Sequence, residues 1–183
     1  MTTEALVLLG DLDPDAVGPG IEHATHYEPT PPADVGMLLD AIPIAIGNAY
    51  FVDVGCGMGR AVFIAAQRPF RQVVGIEISP ALHAIAEDNL ASYTGPRACA
   101  DVRIVRADAA RYRFPRGDLV LYLYNPFDGA MLESVVRRCL ARDPAQELIV
   151  LYHTPVERGE IERTAAFTIE AEFGFGVVYR RIS

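Results

Sequence analysis

The chain has 183 residues, of which 51% are hydrophobic and 22% are charged, a composition typical of one folded domain with a substantial core. Its formal net charge of −8 disfavours general binding to nucleic-acid phosphates, and because all 16 basic residues are arginine, no lysine can act as a Schiff base or catalytic ammonium. No apolar run approaches the ~20 residues that cross a bilayer, so we expect no membrane partner.

The N-terminal region is expected to form an arm and a loop. Residues 1–20 are rich in Asp, Gly and Pro, and the three prolines of residues 23–32 keep that segment out of a helix. The apolar spacing over 35–42 then predicts a helix, with Pro32 and Asp34 as start signals. We therefore divide the chain into an arm and loop over residues 1–30 and one domain over residues 31–183.

From residue 50 onward, strand and helix patterns alternate. Strands are predicted at 50–54, 72–78, 102–106, 119–124 and 148–153, and helices at 60–67, 80–92, 129–142 and 155–164. The early strands are nearly continuous apolar runs, as expected for strands buried on both faces of a sheet. This alternation predicts an α/β fold with a mostly parallel sheet and helices on both faces.

The C-terminal end has a different pattern. Two further strands are predicted at 167–173 and 177–182, and only residues 174–176 separate them. A connection that short permits only an antiparallel hairpin. We therefore predict a seven-stranded, mostly parallel sheet that ends in an antiparallel hairpin.

A glycine-rich segment follows the first predicted strand. Asp53 ends the strand, and Gly55, Gly57 and Gly59 follow at alternate positions, with Cys56 as a small side chain among them. The glycines permit a sharp turn and close approach of a ligand, and the next helix directs its unpaired N–H groups to the same place. Asp53 either anchors a positively charged amino group of the ligand or caps that helix. The segment predicts a nucleotide-type pocket made largely of backbone.

Two further acidic residues follow the second and third strands. Glu77, roughly twenty positions after the glycines, can accept hydrogen bonds from both hydroxyls of a ribose; the alternative is a solvated strand-end carboxylate. Asp108 can accept a hydrogen bond from an adenine amino group while the N–H of Ala109 donates to the ring; the alternative is a turn aspartate that caps its own backbone. Because ligands bind outside the carboxyl ends of parallel strands, we expect the three acids to converge there.

Together these residues resemble the class I S-adenosylmethionine-dependent methyltransferases. Residues 53–59 look like the first motif of that family, Glu77 like its ribose-binding acid and Asp108 like its adenine-side acid. The terminal hairpin also resembles the family's sixth and seventh strands, so the resemblance covers about residues 30–183. It implies a Rossmann-like fold and S-adenosylmethionine as cofactor. The GxGxG spacing also differs from the GxGxxG of nicotinamide-dependent dehydrogenases.

The fourth strand carries the best indication of the chemistry. It leads into Tyr124, Asn125, Pro126 and Phe127, which are similar to the Asn/Asp-Pro-Pro-aromatic motif of methyltransferases that act on planar nitrogens. The second proline is absent here, so specificity for a nucleobase or glutamine is not implied. The resemblance implies that Asn125 orients a nitrogen acceptor and that Tyr124 and Phe127 shape its pocket. A simple strand-to-loop turn is the alternative.

A weaker resemblance links the chain to the non-SET histone lysine methyltransferases. Those enzymes pair an Asn-containing motif on the fourth strand with an N-terminal loop that resembles Tyr27, Glu28, Pro29 and Thr30. The resemblance implies that this loop closes over the cofactor, with Glu28 and Thr30 at its methionine end. A packed connecting loop is the alternative. The cofactor-binding residues predicted in total are Tyr27, Glu28, Thr30, Asp53, Gly55, Cys56, Gly57, Gly59, Glu77, Ile78, Asp108, Ala109 and Asn125.

The remaining candidates carry less weight. His23 and His26 lack a third ligand, so no metal site is predicted. His153, at the end of the fifth strand, is either a structural histidine or a base in the substrate cleft. The five arginines between 103 and 116 are interpreted as a solvated surface, with an acidic partner as the alternative. The odd, scattered set of 3 cysteines predicts a reducing, cytoplasmic compartment.

The sequence therefore predicts an S-adenosylmethionine-dependent methyltransferase. Because there is no separate recognition domain, we expect the acceptor to be a nitrogen of a small molecule or of a protein side chain, and nucleic acid to be an unlikely partner. The sequence does not predict the oligomeric state. Two alternatives remain open: a non-catalytic protein that binds S-adenosylmethionine without turnover, and a nicotinamide-dependent oxidoreductase, which NADH binding would reveal.

Overall fold

A computed structural model describes residues 30–125 and 128–182 of the chain. Its strands are β1 (Tyr50–Val54), β2 (Gln72–Glu77), β3 (Val102–Arg106), β4 (Leu119–Tyr124), β5 (Leu148–His153), β6 (Phe167–Phe173) and β7 (Gly176–Arg181). Its α-helices are α1 (Pro32–Asp40), α2 (Arg60–Ala65), α3 (Pro80–Ser92), α4 (Gly129–Leu140) and α5 (Arg158–Glu162), with a 3-10 turn at Ile46–Asn48.

The seven strands form one sheet in the order β3-β2-β1-β4-β5-β7-β6. Strands β1 to β5 pair in parallel, whereas β7 is antiparallel to both β5 and β6. The predicted fold, including the terminal hairpin, is therefore confirmed. The strand order reverses between β1 and β4, and in sheets of this kind a ligand crevice opens at the carboxyl ends of those two strands.

The core lies in two layers, one on each face of the sheet. Helices α1, α2 and α3 pack on the face that carries Phe51 and Tyr122, and α4 and α5 pack on the face that carries Val52 and Val54. Because side chains alternate along a strand, Asp53 lies on the α1–α3 face with Phe51.

The predicted element boundaries differ from the observed ones only at the ends. Helix α1 begins at Pro32, one of the two predicted start signals, since proline is well tolerated in the first turn, and it ends at Asp40 rather than at the predicted 42. Helix α2 ends at Ala65 because the chain tightens there, with Arg68 N–H donating to the carbonyl of Ala65. The predicted start at Asp128 is confirmed, since its carboxylate accepts the N–H of Met131. None of the helices described is both long and apolar enough for a bilayer.

Candidate active site

The loop between β1 and α2 depends on glycine for its shape. Gly55, Gly57 and Gly59 have φ values of 75°, 54° and 90°, in the left-handed region that costs other residues about 1–2 kcal/mol each. A Cβ atom at Gly59 would also lie 3.1 Å from the ring of Phe63. The loop is fixed to β2, because the N–H groups of Gly55 and Cys56 both donate to the carbonyl of Ile76 at 2.9 Å. The result is an ordered backbone cradle at the end of β1.

The side chain of Cys56 packs between the glycine loop and β2. Its thiol packs against Gly75 of β2, where an added Cβ would lie 2.7 Å from Cys56 Sγ and 2.8 Å from Val62 Cγ2. Burial raises the pKa of the Cys56 thiol well above its usual value, so the thiol is a poor nucleophile. The side chain of Cys56 therefore belongs to the core, and only its backbone can line a cofactor pocket.

Asp53 is a buried carboxylate, with 4% of its surface exposed. Burial, and secondly the charge of Glu77, raises its pKa to about 8. Within residues 30–125 and 128–182, no group forms a hydrogen bond or ion pair with it. A buried carboxylate is costly unless it is protonated or paired, so this position favours a cationic ligand.

Glu77 fixes the glycine loop and the start of α3 at the same time. Its two carboxylate oxygens accept the N–H of Gly57 and the N–H of Ser79, each at 2.8 Å. Burial raises the pKa of Glu77, and the hydrogen bonds from Ser79 and Gly57 oppose that rise. A carboxylate has about four acceptor sites, so about two remain for the hydroxyls of a ribose. Ile78, which follows, is partly buried.

Asp108 is engaged in its own turn. One of its carboxylate oxygens accepts the N–H of Ala110 at 2.8 Å, and the other lies 3.6 Å from Nε of Arg111. This is the backbone-capping arrangement that the sequence offered as the alternative. Ala109 is buried beside it. Contacts of Asp108 and Ala109 with an adenine remain predictions.

The end of β4 brings Tyr124 and Asn125 to the same edge of the sheet. Asn125 has a φ of 38°, a left-handed conformation that Asn tolerates better than most residues, and it turns the chain out of β4. The ring of Tyr124 meets the imidazole of His153 edge-on, with 4.4 Å between centroids. Phe127, together with Tyr27 and Glu28, lies outside the described residues, so their predicted roles remain predictions.

Thr30 contacts β4 and the first residue of α2. It is buried; its hydroxyl is 3.5 Å from the hydroxyl of Tyr122, and its carbonyl accepts a hydrogen bond from Arg60 at 3.2 Å. Arg60 begins the helix that follows the glycines, and Tyr122 pairs with Asp53 across the sheet. Thr30, two residues before α1, therefore lies against the site.

The sequence analysis missed Asn89, which braces the loop. Its side-chain amide donates to the carbonyl of Met58 at 3.1 Å from a buried position on α3. Leu82, Ala86 and Asn89 are the buried residues of that helix, at helical spacing. A polar residue in an apolar helical stripe was the signal that could have identified it. Among the residues described, no group of three side chains is arranged to hold a metal ion.

A family model described as "Methyltransferase domain" matches residues 51–142, which run from the second residue of β1 to just beyond the end of α4. The chain belongs to this methyltransferase family. It is accordingly an S-adenosylmethionine-dependent enzyme of the class I type, as its motifs predicted. A dehydrogenase, the second alternative from the sequence, is not supported.

Solved structures similar to this methyltransferase share its fold at low sequence identity. An RNA methyltransferase from Salinibacter ruber in complex with S-adenosyl-L-homocysteine is 22% identical, with 84% of this chain and 92% of that chain covered and a TM-score of 0.60. The glycopeptide N-methyltransferase MtfA, complexed with S-adenosyl-L-methionine, is 11% identical, with 82% and 93% covered and a TM-score of 0.59.

A third similar structure, the [4+2]-cyclase SpnF, is 18% identical, with 75% of this chain and 57% of that chain covered and a TM-score of 0.54. The fold is thus shared by proteins whose names describe different reactions. A comparison with curated proteins gives no match.

The residues of this site fit S-adenosylmethionine. A buried carboxylate without a partner among the described residues suits its amino group, and a second carboxylate with free acceptor sites suits its ribose. The left-handed glycines keep Cβ atoms away from the space between them. The two carboxylates and the glycine loop therefore fit the amino group and the ribose of this cofactor.

Proposed function

We propose that this methyltransferase transfers the methyl group of S-adenosylmethionine to a nitrogen of a small molecule or of a protein side chain. The proposal depends mainly on the position of Asn125. Leu123 pairs with Val54, so Asn125, two residues further along, leaves β4 beside the glycine loop that follows β1. An amide oxygen there can accept a hydrogen bond from an N–H group of the acceptor.

When bound, S-adenosylmethionine would supply an electrophilic methyl group on its sulfonium, and the thioether product would be neutral. The protein's tasks are to align the acceptor and to exclude water. In the proposed arrangement Asp53 and the glycine loop hold the methionine end, Glu77 holds the ribose, and Asp108 with Ala109 lies at the adenine. Tyr124 and Phe127 shape the acceptor pocket on either side of Asn125.

Replacing Asn125 by Ala is expected to reduce methyl transfer about 100-fold, the usual effect of removing one hydrogen-bonding group that acts on the reacting atoms. The affinity for S-adenosylmethionine should change less than about twofold. Because Ala is strained at a φ of 38°, Asn125→Gly provides a second variant that adopts this conformation freely. Single-turnover transfer and calorimetry measure the two quantities, with Asn48→Ala as a surface control. Full turnover in Asn125→Gly would exclude the orienting role.

The acceptor class can be tested directly. Enzyme with radiolabelled S-adenosylmethionine would be offered small amines, peptides with exposed nitrogen side chains, and RNA in separate reactions. We expect transfer to an amine or a peptide and none to RNA, because the net charge of −8 opposes RNA binding. Tight cofactor binding with no transfer in any reaction would instead favour the non-catalytic alternative.

We also propose that residues 1–30 form an arm and a lid over the methionine end, with Tyr27, Glu28 and Thr30 in contact with the cofactor. The burial of Thr30 against Tyr122 and Arg60 supports this placement. Removing residues 1–30 should accelerate cofactor release about tenfold, the effect of losing one hydrogen bond to a charged group. Stopped-flow displacement measures the rate. A variant lacking only residues 1–22 is the control, and equal release rates in all three proteins would contradict the lid.

A further inference from the structure

Two residues with left-handed backbone conformations follow the carboxyl ends of β4 and β5. This is the edge of the sheet where the acceptor is proposed to bind. Tyr124 of β4 pairs with His153 of β5, so the next residues, Asn125 and Thr154, lie beside each other. Their φ values are 38° and 48°, and a positive φ is rare for a β-branched residue such as Thr. Strained backbone of this kind concentrates at functional sites, and the exposed side chain of Thr154 is accessible to a ligand.

The hydroxyl of Thr154 begins a chain of hydrogen bonds that passes through the buried imidazole of His153 to the carboxylate of Asp34. The Thr154 hydroxyl lies 3.0 Å from Nδ1 of His153, and Nε2 of the same ring lies 3.1 Å from a carboxylate oxygen of Asp34 on α1. His153 is 3% exposed, and Tyr124 and Phe175 pack on its ring at centroid distances of 4.4 Å and 5.6 Å. The imidazole is therefore held in one orientation between a surface hydroxyl and a carboxylate.

The chemistry of the partners sets the tautomer. An ionised carboxylate can only accept, so Nε2 must carry the proton that is shared with Asp34. In the neutral ring Nδ1 then has a lone pair, and the Thr154 hydroxyl donates to it. The Thr154 oxygen in turn has lone pairs with which to accept a proton from outside.

We propose that Thr154, His153 and Asp34 form a proton relay that removes the proton released by the acceptor nitrogen. This proposal depends on the proposed function. As the nitrogen gains its bond to the methyl carbon, one N–H bond breaks and its electron pair stays on nitrogen. That proton passes to the Thr154 oxygen while the hydroxyl's own proton passes to Nδ1 of His153. The resulting imidazolium, stabilised by Asp34, later loses the proton to solvent by the reverse path.

The tautomer provides a test that needs no acceptor. The chain has 4 histidines, so replacing the other three by Gln and labelling with ¹⁵N-histidine leaves His153 as the observed residue. In the neutral form of the ring we expect the proton on Nε2. Thr154→Val should shift the Nδ1 resonance, whereas Thr154→Ser and the remote control Thr168→Val should not. A proton on Nδ1, or no response to Thr154→Val, would overturn the relay.

Kinetics with the acceptor identified in the screen give the second measurement. Loss of general-base assistance costs about 10²–10⁴-fold, so kcat should fall by that factor in Thr154→Val and return in Thr154→Ser. The dissociation constant of S-adenosylmethionine should stay within about twofold. If Asn125→Gly is fully active while Thr154→Val is impaired, the assignment of Asn125 fails and the relay stands. An unimpaired Thr154→Val would overturn the relay alone.

Discussion

Asp53→Asn is expected to weaken S-adenosylmethionine binding by about 2–5 kcal/mol, roughly 30- to 5,000-fold, the usual cost of removing one partner of a buried charge pair. Asn has nearly the same shape as Asp but cannot neutralise the cofactor's amino group. Isothermal titration calorimetry measures the loss. Asp40→Asn, which alters an exposed carboxylate paired with Arg68, is the matched control. Unchanged affinity in Asp53→Asn would contradict the proposed anchor.

The raised pKa of Asp53 gives this prediction a second measurement. A bound cation favours the ionised carboxylate, so binding below pH about 8 should release a proton, and affinity should rise as the pH approaches about 8. In the free protein, by contrast, the raised pKa of Asp53 makes the folded state less stable as the pH rises. Because the folded-state pKa lies above the usual value, the contribution of Asp53 to stability is present below its unfolded pKa and is lost as the pH rises through about 8.

Thermal unfolding separates these effects from simple damage to the fold. Without cofactor, Asp53→Asn should unfold at a higher temperature than the wild type near pH 9 and at about the same temperature near pH 3, below the usual pKa of an Asp. Calorimetry in buffers of different ionisation enthalpy should show proton release by the wild type and less by the variant. A variant that is less stable than the wild type near pH 9 would rule out an ionised, unpaired Asp53.

Glu77→Gln should weaken S-adenosylmethionine binding for a different physical reason. Gln can accept only through its one carbonyl oxygen, so its amide group must face the N–H of either Gly57 or Ser79 and leave that buried donor unsatisfied. The proposed hydrogen bonds from the ribose hydroxyls would also become weaker, because a neutral amide replaces the carboxylate. We expect S-adenosylmethionine affinity to fall by about 2–4 kcal/mol, roughly 30- to 1,000-fold.

Adenosine distinguishes the two acids. It carries the ribose but not the amino acid, so Glu77→Gln should weaken adenosine binding whereas Asp53→Asn should leave it nearly unchanged. Glu87→Gln, an exposed position on α3, is the control for loss of one negative charge. Equal adenosine affinity in the wild type and Glu77→Gln would exclude the ribose contact.

Most of the fold could be predicted from local signals. Buried parallel strands appear as apolar runs, and capping residues such as Asp128 mark where helices start, so the order of elements followed directly. The acids at strand ends could be identified because topology alone places them at one edge. The short connection at residues 174–176 determined the antiparallel hairpin in the same way.

The site's supporting contacts could not be predicted because they join residues far apart in sequence. Asp34 and His153 are 119 positions apart, and Asn89 on α3 donates a hydrogen bond to the carbonyl of Met58 in the glycine loop. No local pattern specifies such pairs, since they depend on how α1 and α3 are placed on the sheet. Asp108 shows the opposite limit: its sequence position was consistent with both a ligand contact and a turn cap, and in the described part of the chain its carboxylate caps Ala110 and pairs with Arg111.

The contact between Cys56 and Gly75 has a consequence for how this protein can change during evolution. The two residues share one small volume between the first turn and the second strand, and Val62 closes it from the side. A side chain at position 75 has room only if residue 56 becomes smaller and Val62 moves, and a larger residue at position 56 gains no room from position 75, because Gly75 has no side chain to lose. Positions 56 and 75 therefore constrain each other, and the sequence of the cofactor loop is partly determined by a strand that need not touch the cofactor.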